Sequence, residues 1–221
     1  MNLNRQVTMQ GQLGMRVSRN LDSIDLLPTT PAPLIWRLRN RMRPAFWRGW
    51  FAVRFIAPIA NQFGVATLTA ELRAKLIKAD GRIIDYGVLS YRVITDAGVA
   101  FLVDDWDASV TDLTNMNFPG LGTGIVAEAV TDTALGAEST TALNPDSTRA
   151  TGTRSQPAAN QYRTVGTLTF DAAAAITEHG LFSQAAVPGG TLWDRSVFAA
   201  INVVSGDSIQ TTYTCTVSSG G

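Results

Sequence analysis

Residues 65–76 alternate between apolar and polar side chains, and this pattern constrains the fold of the chain more than any other feature. The apolar positions are Ala66, Leu68, Ala70, Leu72, Ala74 and Leu76. A period of two places one set of side chains on each face of a strand, so the pattern predicts a β-strand with one buried face. Residues 69–79 are also good helix formers. The Asp80-Gly81 pair favours the strand, because it is typical of a β-hairpin turn.

Shorter strand signals continue along the chain. Residues 82–86 and 88–94 are predicted strands, and a turn at Asp96-Ala97-Gly98 is expected to lead to another strand over residues 99–103. Strand patterns return over residues 162–170, 176–183, 191–198 and 208–217. The length of 221 residues suits one large β domain or a β domain with an extension. We therefore predict a mainly β fold, an antiparallel sandwich or jelly-roll-like body with an extended basic N-terminal arm.

The middle of this body, residues 104–164, is rich in loop signals. A polar run over residues 138–160 has no core periodicity, and loops of this length are usually functional or ordered by a partner. The segment Gly120-Leu121-Gly122-Thr123-Gly124 lacks the Gly-Lys-Ser/Thr ending of a phosphate-binding loop. We interpret it as a flexible turn.

The N-terminal quarter of the chain has a different charge from the rest. Residues 1–55 hold nine Arg, no Lys and two Asp, whereas residues 56–221 hold nine basic and sixteen acidic residues. We divide the chain into an N-terminal arm and anchor segment, residues 1–60, and a β-rich body, residues 61–221. Glycines and prolines argue against a long element in residues 1–33. A basic arm is expected to meet a negative partner, which could be a protein surface, another copy or nucleic acid.

Residues 35–43 alternate Arg with mainly apolar side chains, which predicts an extended segment with four Arg on one face. Three interpretations stay open: a charged edge strand that resists aggregation, a contact between subunits, or a contact with nucleic acid. Trp36, Leu38 and Met42 are expected to be buried on the opposite face. The apolar anchor is expected to continue with Trp47, Trp50, Phe51 and Phe55. Aromatic and Arg side chains often dominate binding energy at interfaces. The predicted partner-binding residues are Trp36, Arg37, Arg39, Arg41, Arg43, Trp47 and Trp50.

The apolar stretch over residues 45–60 is interrupted by Arg48, Arg54 and Pro58. It is also shorter than the roughly 20 apolar residues that a membrane-spanning helix needs. We expect a buried or interfacial segment and no membrane partner.

Few residues offer catalytic or metal-binding chemistry. His179 is the only histidine and Cys215 the only cysteine, so neither an intrachain disulfide nor a structural zinc site within the chain is possible. No nucleophile-elbow motif is present, and His179 is expected to be structural. The acids Asp104, Asp105, Asp107 and Asp112 lack the pattern of a calcium loop, and we expect a solvated acidic loop or an Arg-pairing patch. We therefore predict no enzyme activity, no cofactor and no metal.

A series of distinctive motifs runs through roughly residues 85–221. They are Gly122-Thr123-Gly124, Ala127-Glu128, Asp132-Thr133-Ala134-Leu135, Glu138, Asn144-Pro145-Asp146-Ser147-Thr148-Arg149, Ile176-Thr177-Glu178-His179-Gly180-Leu181-Phe182, Leu192-Trp193-Asp194-Arg195 and Phe198-Ala199-Ala200-Ile201-Asn202-Val203-Val204-Ser205-Gly206-Asp207-Ser208-Ile209. In this order the motifs resemble a family of tailed-bacteriophage virion proteins. The resemblance implies no catalytic residue. Glu178 and the Asp194-Arg195 pair are instead expected to fix strand register through carboxylate–guanidinium bonds.

What the resemblance implies is a structural protein of the virion, made in the host cytoplasm. The leading hypothesis is a capsid cement or decoration protein that binds the major capsid protein or other virion subunits. A tail, baseplate or adaptor component is the alternative, and a carbohydrate-cleaving spike is a third, weaker hypothesis. Exposed sheet edges and long loops predict self-association as a dimer or trimer. Direct contact with nucleic acid is not expected.

Overall fold

A computed structural model describes residues 29–107 and 112–220, so most of the predicted irregular arm lies outside the described residues. The fold is mainly β, as predicted. The strands are β1 (Thr29–Pro31), β2 (Thr67–Ile77), β3 (Ile83–Tyr91), β4 (Val93–Ile94), β5 (Phe118–Gly122), β6 (Leu143–Asn144), β7 (Thr153–Ser155), β8 (Gln161–Phe170), β9 (Ala174–Phe182), β10 (Leu192–Val203) and β11 (Ser208–Ser218). The α-helices are α1 (Leu34–Arg41), α2 (Pro44–Phe51), α3 (Ala57–Gln62) and α4 (Asp96–Trp106), with a π-helical turn at Ala52–Ile56 between α2 and α3 and a 3₁₀ turn at Leu113–Asn115.

The strands form two sheets that pack face to face. The first sheet has the order β1-β3-β2-β11-β8-β6, and β7 also pairs with β8. Only the pairing of β1 with β3 is parallel in this sheet. The second sheet has the order β4-β10-β9-β5 and is antiparallel throughout. The chain passes from the first sheet to the second directly, where β3 ends at Tyr91 and β4 begins at Val93.

The main core lies between the two sheets and follows the alternation of β2. Ala70, Leu72, Ala74 and Leu76 are all buried, as the alternation predicts. Buried side chains from the facing sheet and the neighbouring strands complete this core, among them Phe170, Ile176, Phe198, Ile201, Val203 and Ile209. The predicted hairpin joins β2 to β3, and its Gly81 has a φ of +87°, which favours glycine over residues with a side chain.

Residues 96–106 form helix α4, so the predicted turn and strand over residues 96–103 are wrong. Thr95 begins the helix, because its hydroxyl accepts a hydrogen bond from the backbone N–H of Gly98 at 3.0 Å. Asp96 occupies the first turn, where a carboxylate interacts favourably with the helix dipole. Gly98 lies directly against the backbone of Trp193 in β10. Asp96-Ala97-Gly98 is therefore the first turn of a helix, and the glycine is needed because the helix lies directly against the backbone of Trp193.

Two further predicted segments also differ. Residues 34–41 form helix α1, not an extended strand, and the segment predicted as a flexible turn at residues 120–124 begins within strand β5. Leu, Arg and Met are good helix formers, and Pro33 directly precedes the helix. The period of two in the Arg positions therefore carried no structural information.

Helix α1 packs on the sandwich and hydrogen bonds to a bulge in β10. Between Val197 and Ile201, three residues of β10 stand opposite one residue of β9, which interrupts the ladder. The indole N–H of Trp36 donates to the carbonyls of Ala199 and Ala200 at 3.1 and 2.9 Å. These bonds satisfy two backbone acceptors in the bulge.

Asn40, one helical turn after Trp36, links α1 to both sheets. Its side-chain oxygen accepts from the N–H of Ala199 in β10 at 2.9 Å, and its side-chain nitrogen donates to the carbonyl of Leu89 in β3 at 2.8 Å. The residue is only 2% exposed. Because both of its partners are backbone groups of different sheets, Asn40 fixes the position of α1 on the sandwich.

We expect Asn40→Ala to lower the free energy of unfolding by about 1–3 kcal/mol, because it leaves buried backbone groups without partners. Chemical denaturation followed by circular dichroism would measure the change. The exposed Gln62 provides the control, since Gln62→Ala should change stability by only about 0.5 kcal/mol or less. Equal stability of both variants would contradict the role assigned to Asn40.

Candidate protein–protein interface

Helices α2 and α3 and the π-helical turn between them form one continuous helical run along the first sheet. Pro44 occupies the first turn of α2, where its missing N–H costs nothing. The aromatic ring of Phe46 packs on Tyr91 with ring centroids 5.6 Å apart, and Gly49 lies against the backbone of Tyr91. The run ends before Gly64, whose φ is +80°.

Most of the apolar side chains on these helices face outward. Of the nineteen large apolar side chains exposed in the described residues, eleven lie within residues 34–65. They are Leu34, Ile35, Leu38, Met42, Trp47, Phe51, Phe55, Ile56, Ile59, Phe63 and Val65. Soluble monomers seldom expose large contiguous apolar patches, and such patches usually mark interaction sites. We call the exposed surface of residues 34–65 the basic helical face.

The charge on this face has one sign. Residues 29–70 contain six Arg and no Asp, Glu or Lys. The Arg residues are Arg37, Arg39, Arg41, Arg43, Arg48 and Arg54. Arg combines a planar, weakly hydrated charge with the ability to stack on aromatic rings, which suits protein interfaces. The face therefore combines exposed apolar and aromatic surface with positive charge.

A pocket of about 550 Å³ opens between α1, α2 and β3 within this face. Trp36 packs edge-on against Tyr86 at 4.6 Å, and Trp47 packs edge-on against Trp50 at 5.3 Å between ring centroids. Asp85 supplies the acidic side chain among the lining residues. A concave aromatic site of this size could accept a protruding side chain from a partner.

The structure brings five of the seven predicted partner-binding residues around this pocket. These are Trp36, Arg37, Arg41, Trp47 and Trp50. Arg39 is exposed on α1 away from the pocket lining, and Arg43 is partly buried at the start of α2. The four Arg therefore do not share one face, because a helix distributes alternate residues around its circumference.

The predicted burial of Leu38 and Met42 is wrong for the isolated chain, since they are 53% and 79% exposed. Asn40, the residue that fixes α1, was missed. The available signal was its spacing of four residues from Trp36, which places both side chains on one side of a helix. Phe51, Phe55, Ile59 and Phe63 are also spaced by four and are exposed, which indicates a helical stripe rather than a buried anchor.

Among residues 29–107 and 112–220, no helix is both long and apolar enough to cross a membrane. Within the same residues, no group of three or more His, Cys, Asp and Glu side chains is arranged to hold a metal ion. Of the predicted acidic loop, Asp104 and Asp105 lie in the last turn of α4, Asp107 ends this helix and Asp112 begins the 3₁₀ turn.

Glu178 and Arg195 form a buried ion pair across neighbouring strands, as predicted. The guanidinium of Arg195 donates to Glu178 Oε2 at 2.7 and 3.0 Å and also pairs with Asp132 at 2.9 Å. Glu178 accepts three more bonds from backbone N–H groups of the loop that follows β5, at Gly124, Gly136 and Ala137. These contacts fix that loop to the second sheet and satisfy both charges within the body.

A second buried arginine organises the long polar segment. Arg149 donates two hydrogen bonds to Glu138 at 2.6 and 2.9 Å and others to the carbonyls of Gln184, Ala186 and Gly189. Its guanidinium lies 3.4 Å from the centre of the Phe182 ring. Within the predicted loop over residues 138–160, Glu138 and Arg149 are therefore held by contacts inside the chain.

The histidine and the cysteine lie inside the body. His179 is fully buried, and Arg92 donates to its Nδ1 at 2.9 Å, while Arg92 also pairs with buried Asp194. Burial, reinforced by the charge of Arg92, holds the pKa of His179 well below its usual value. Burial, with a smaller contribution from Asp194, raises the pKa of Cys215 to about 12. His179 is therefore neutral, and Cys215 is a protonated thiol at neutral pH.

Comparisons with known proteins add no relative to this description. The sequence matches no family model, no curated protein and no solved structure. The resemblance to tailed-phage virion proteins stays a prediction that the motifs carry. The basic helical face is described from the residues of this chain alone.

We expect the stability of the chain to fall on mild acidification because of His179. An unfolded histidine binds a proton below about pH 6.5, whereas the depressed pKa keeps buried His179 neutral. Unfolding then takes up a proton, so the free energy of unfolding falls by up to about 1.4 kcal/mol per pH unit below that value.

Denaturation between about pH 7.5 and about pH 5.5 would compare the chain with His179→Gln, whose side chain can still accept from Arg92. The variant should lose most of the slope over this range. Equal slopes for both proteins would contradict the assigned neutrality of His179.

Proposed function

We propose that this chain is a non-enzymatic structural protein of a tailed-bacteriophage particle, where it binds the shell as a cement or decoration protein. The observation that carries the proposal is the basic helical face. The β body presents eleven exposed large apolar side chains together with six Arg within residues 34–65, which form α1, α2 and α3. Exposing this much apolar surface to water is unfavourable in free energy, and burial against protein subunits removes the penalty.

The attachment of α1 and α2 to the two sheets supports a role of the basic helical face in binding. Trp36 and Asn40 hold α1 to the bulge of β10, and Phe46 and Gly49 hold α2 to Tyr91. A preorganised face loses little conformational entropy when a partner binds, so more of its contact energy appears as affinity. Trp and Arg, the residue types most often found at the centres of binding energy, line its pocket.

The internal chemistry of the body supports a structural rather than a catalytic role. His179 and Cys215, the groups best suited to act as base or nucleophile, are both buried: Arg92 donates to the Nδ1 of His179, and Cys215 is held as a protonated thiol. Glu178 and Arg195 bond to each other and to backbone groups of their own chain. Glu178 and Arg195 therefore satisfy each other's charge and stabilise the sandwich.

Substitutions in the pocket should prevent incorporation into particles while the body still folds. We expect Trp47→Ala and the pair Arg37→Gln, Arg41→Gln to reduce incorporation strongly, since truncating a central Trp or Arg typically costs about 2 kcal/mol or more. Quantitative mass spectrometry of purified particles would measure the copy number of each variant.

The matched control is the pair Arg73→Gln, Arg82→Gln. Both residues are exposed, 58% and 70% for their side chains, and form surface ion pairs outside the basic helical face. Such pairs contribute only about 0–1 kcal/mol, so incorporation should stay normal. Normal incorporation of the Trp47 and the Arg37, Arg41 variants would contradict a binding role for this face.

The same particles would test whether the protein lies on the capsid or in the tail. A copy number near that of the major capsid protein, and lower heat resistance of particles without this chain, are expected of a cement protein. A low copy number would instead favour a tail, baseplate or adaptor position. Particles that lack the chain and survive heating unchanged would contradict cementing.

A further inference from the structure

The outward surface of α4 is chemically complementary to the basic helical face. Val99, Val103 and Trp106 are 49%, 52% and 76% exposed and recur at helical spacing, so they form one apolar stripe. Asp96, Asp104 and Asp107 are exposed beside this stripe. Residues 93–107 contain no basic residue. We call the outward surface formed by these six side chains the acidic helical face.

Nothing in the described part of the chain covers the stripe, although the inner side of α4 is well packed. Phe101 is buried with Trp193 and Tyr213 beneath the helix, and Gly98 lies against the backbone of Trp193. The helix is therefore firmly seated and leaves its second apolar side to solvent. A helix that carries apolar side chains on two opposite sides usually packs against a partner on each side.

The position of the acids is a second observation. Asp104 and Asp105 lie in the last turn of α4 and Asp107 at its end, and no basic residue lies in that turn. Carboxylates are unfavourable there, because the C-terminal end of a helix carries partial negative charge. Local rules are most often broken at functional positions. A basic partner surface would compensate this unfavourable placement.

We propose that the acidic helical face of one copy binds the basic helical face of a second copy. The inference rests on the proposed function only in that it names a partner for the face assigned to binding there. The two faces share no residue, and each supplies what the other lacks: six Arg without acids on one, and acids without bases on the other. Both also carry exposed Trp and aliphatic side chains that would be buried together.

Such a contact joins different surfaces of identical chains. It closes into a ring, or into a dimer that uses the contact twice, if the geometry returns to the first copy. The described strands at the sheet edges are short, with two residues in β4 and β6, three in β1 and β7 and five in β5, so edge pairing offers little alternative surface. The complementary helices are the stronger basis for self-association.

Charge reversal on each face provides the test with purified protein. Arg48→Glu with Arg54→Glu reverses two of the six charges on the basic helical face, and Asp104→Lys with Asp107→Lys reverses two of the three on the acidic helical face. Each double variant alone should raise the dissociation constant of self-association more than about tenfold, because like charges then meet. An equimolar mixture should restore association, since each reversed face now matches the reversed face of the other variant.

Sedimentation velocity at low and moderate salt would measure these assemblies, and thermal melting would confirm that the variants fold. The control Asp146→Lys with Asp171→Lys reverses two exposed acids on other loops and should associate like the wild type. Association of the wild type should weaken with added salt, because exposed charges are screened.

Three results would overturn the inference. The wild type could stay monomeric at high concentration and low salt, the two double variants could associate as the wild type does, or the mixture could fail to recover. Vesicles that contain phosphatidylglycerol test the other partner class for a basic aromatic helix. Binding to them by a monomeric wild type, lost in Arg48→Glu with Arg54→Glu, would assign the face to a lipid surface instead.

These outcomes separate the inference from the proposed function. Failure of self-association with normal dependence of particle incorporation on Trp47 would leave the virion role intact. Self-association without any presence in particles would leave the contact intact and remove the virion role.

Discussion

The hydrogen bonds between α1 and the bulge of β10 determine how the outer helices relate to the sandwich. At the bulge, β10 leaves the N–H of Ala199 and two carbonyls without partners in the ladder to β9. Asn40 and Trp36 supply those partners, and Asn40 at the same time reaches β3 in the other sheet. Buried backbone groups need such partners, so the helix and the irregular strand stabilise each other. The helices that follow α1 are therefore displayed from a fixed starting point.

The buried arginines have a comparable role for the loops. Arg195 and Arg149 each bind carboxylates and backbone carbonyls from segments distant in sequence. Removing one partner of a buried pair leaves an uncompensated charge, so these networks strongly favour one arrangement of the loops. A chain with only 16% charged residues thus uses several of its charges internally. The basic helical face stands out because its six Arg have no acidic residue within residues 29–70.

The strands could be predicted where one face is buried and the other polar. Residues 67–77 and 208–218 alternate cleanly, and both are strands within two residues of their predicted limits. Helices α1 and α4 were missed because short helices with mixed patterns are defined by caps and tertiary contacts. In α4 the capping hydroxyl of Thr95 was the usable signal. In α1 the chance alternation of Arg residues concealed the spacing of Trp36 and Asn40. Five predicted binding residues do meet at one pocket, but their meeting depends on packing of α1 and α2 against β3, which no local pattern encodes.

Hydrogen–deuterium exchange of the chain, free and within purified particles, tests the binding role of the basic helical face most directly. Amides of residues 44–63 should exchange more slowly in the particle than in the free chain, because a partner covers helices that face solvent on one side. Strands β2 and β11, which are central in the first sheet, should exchange at the same slow rate in both states. Unchanged exchange over residues 44–63, with new protection confined to the loops of the β body, would contradict the account.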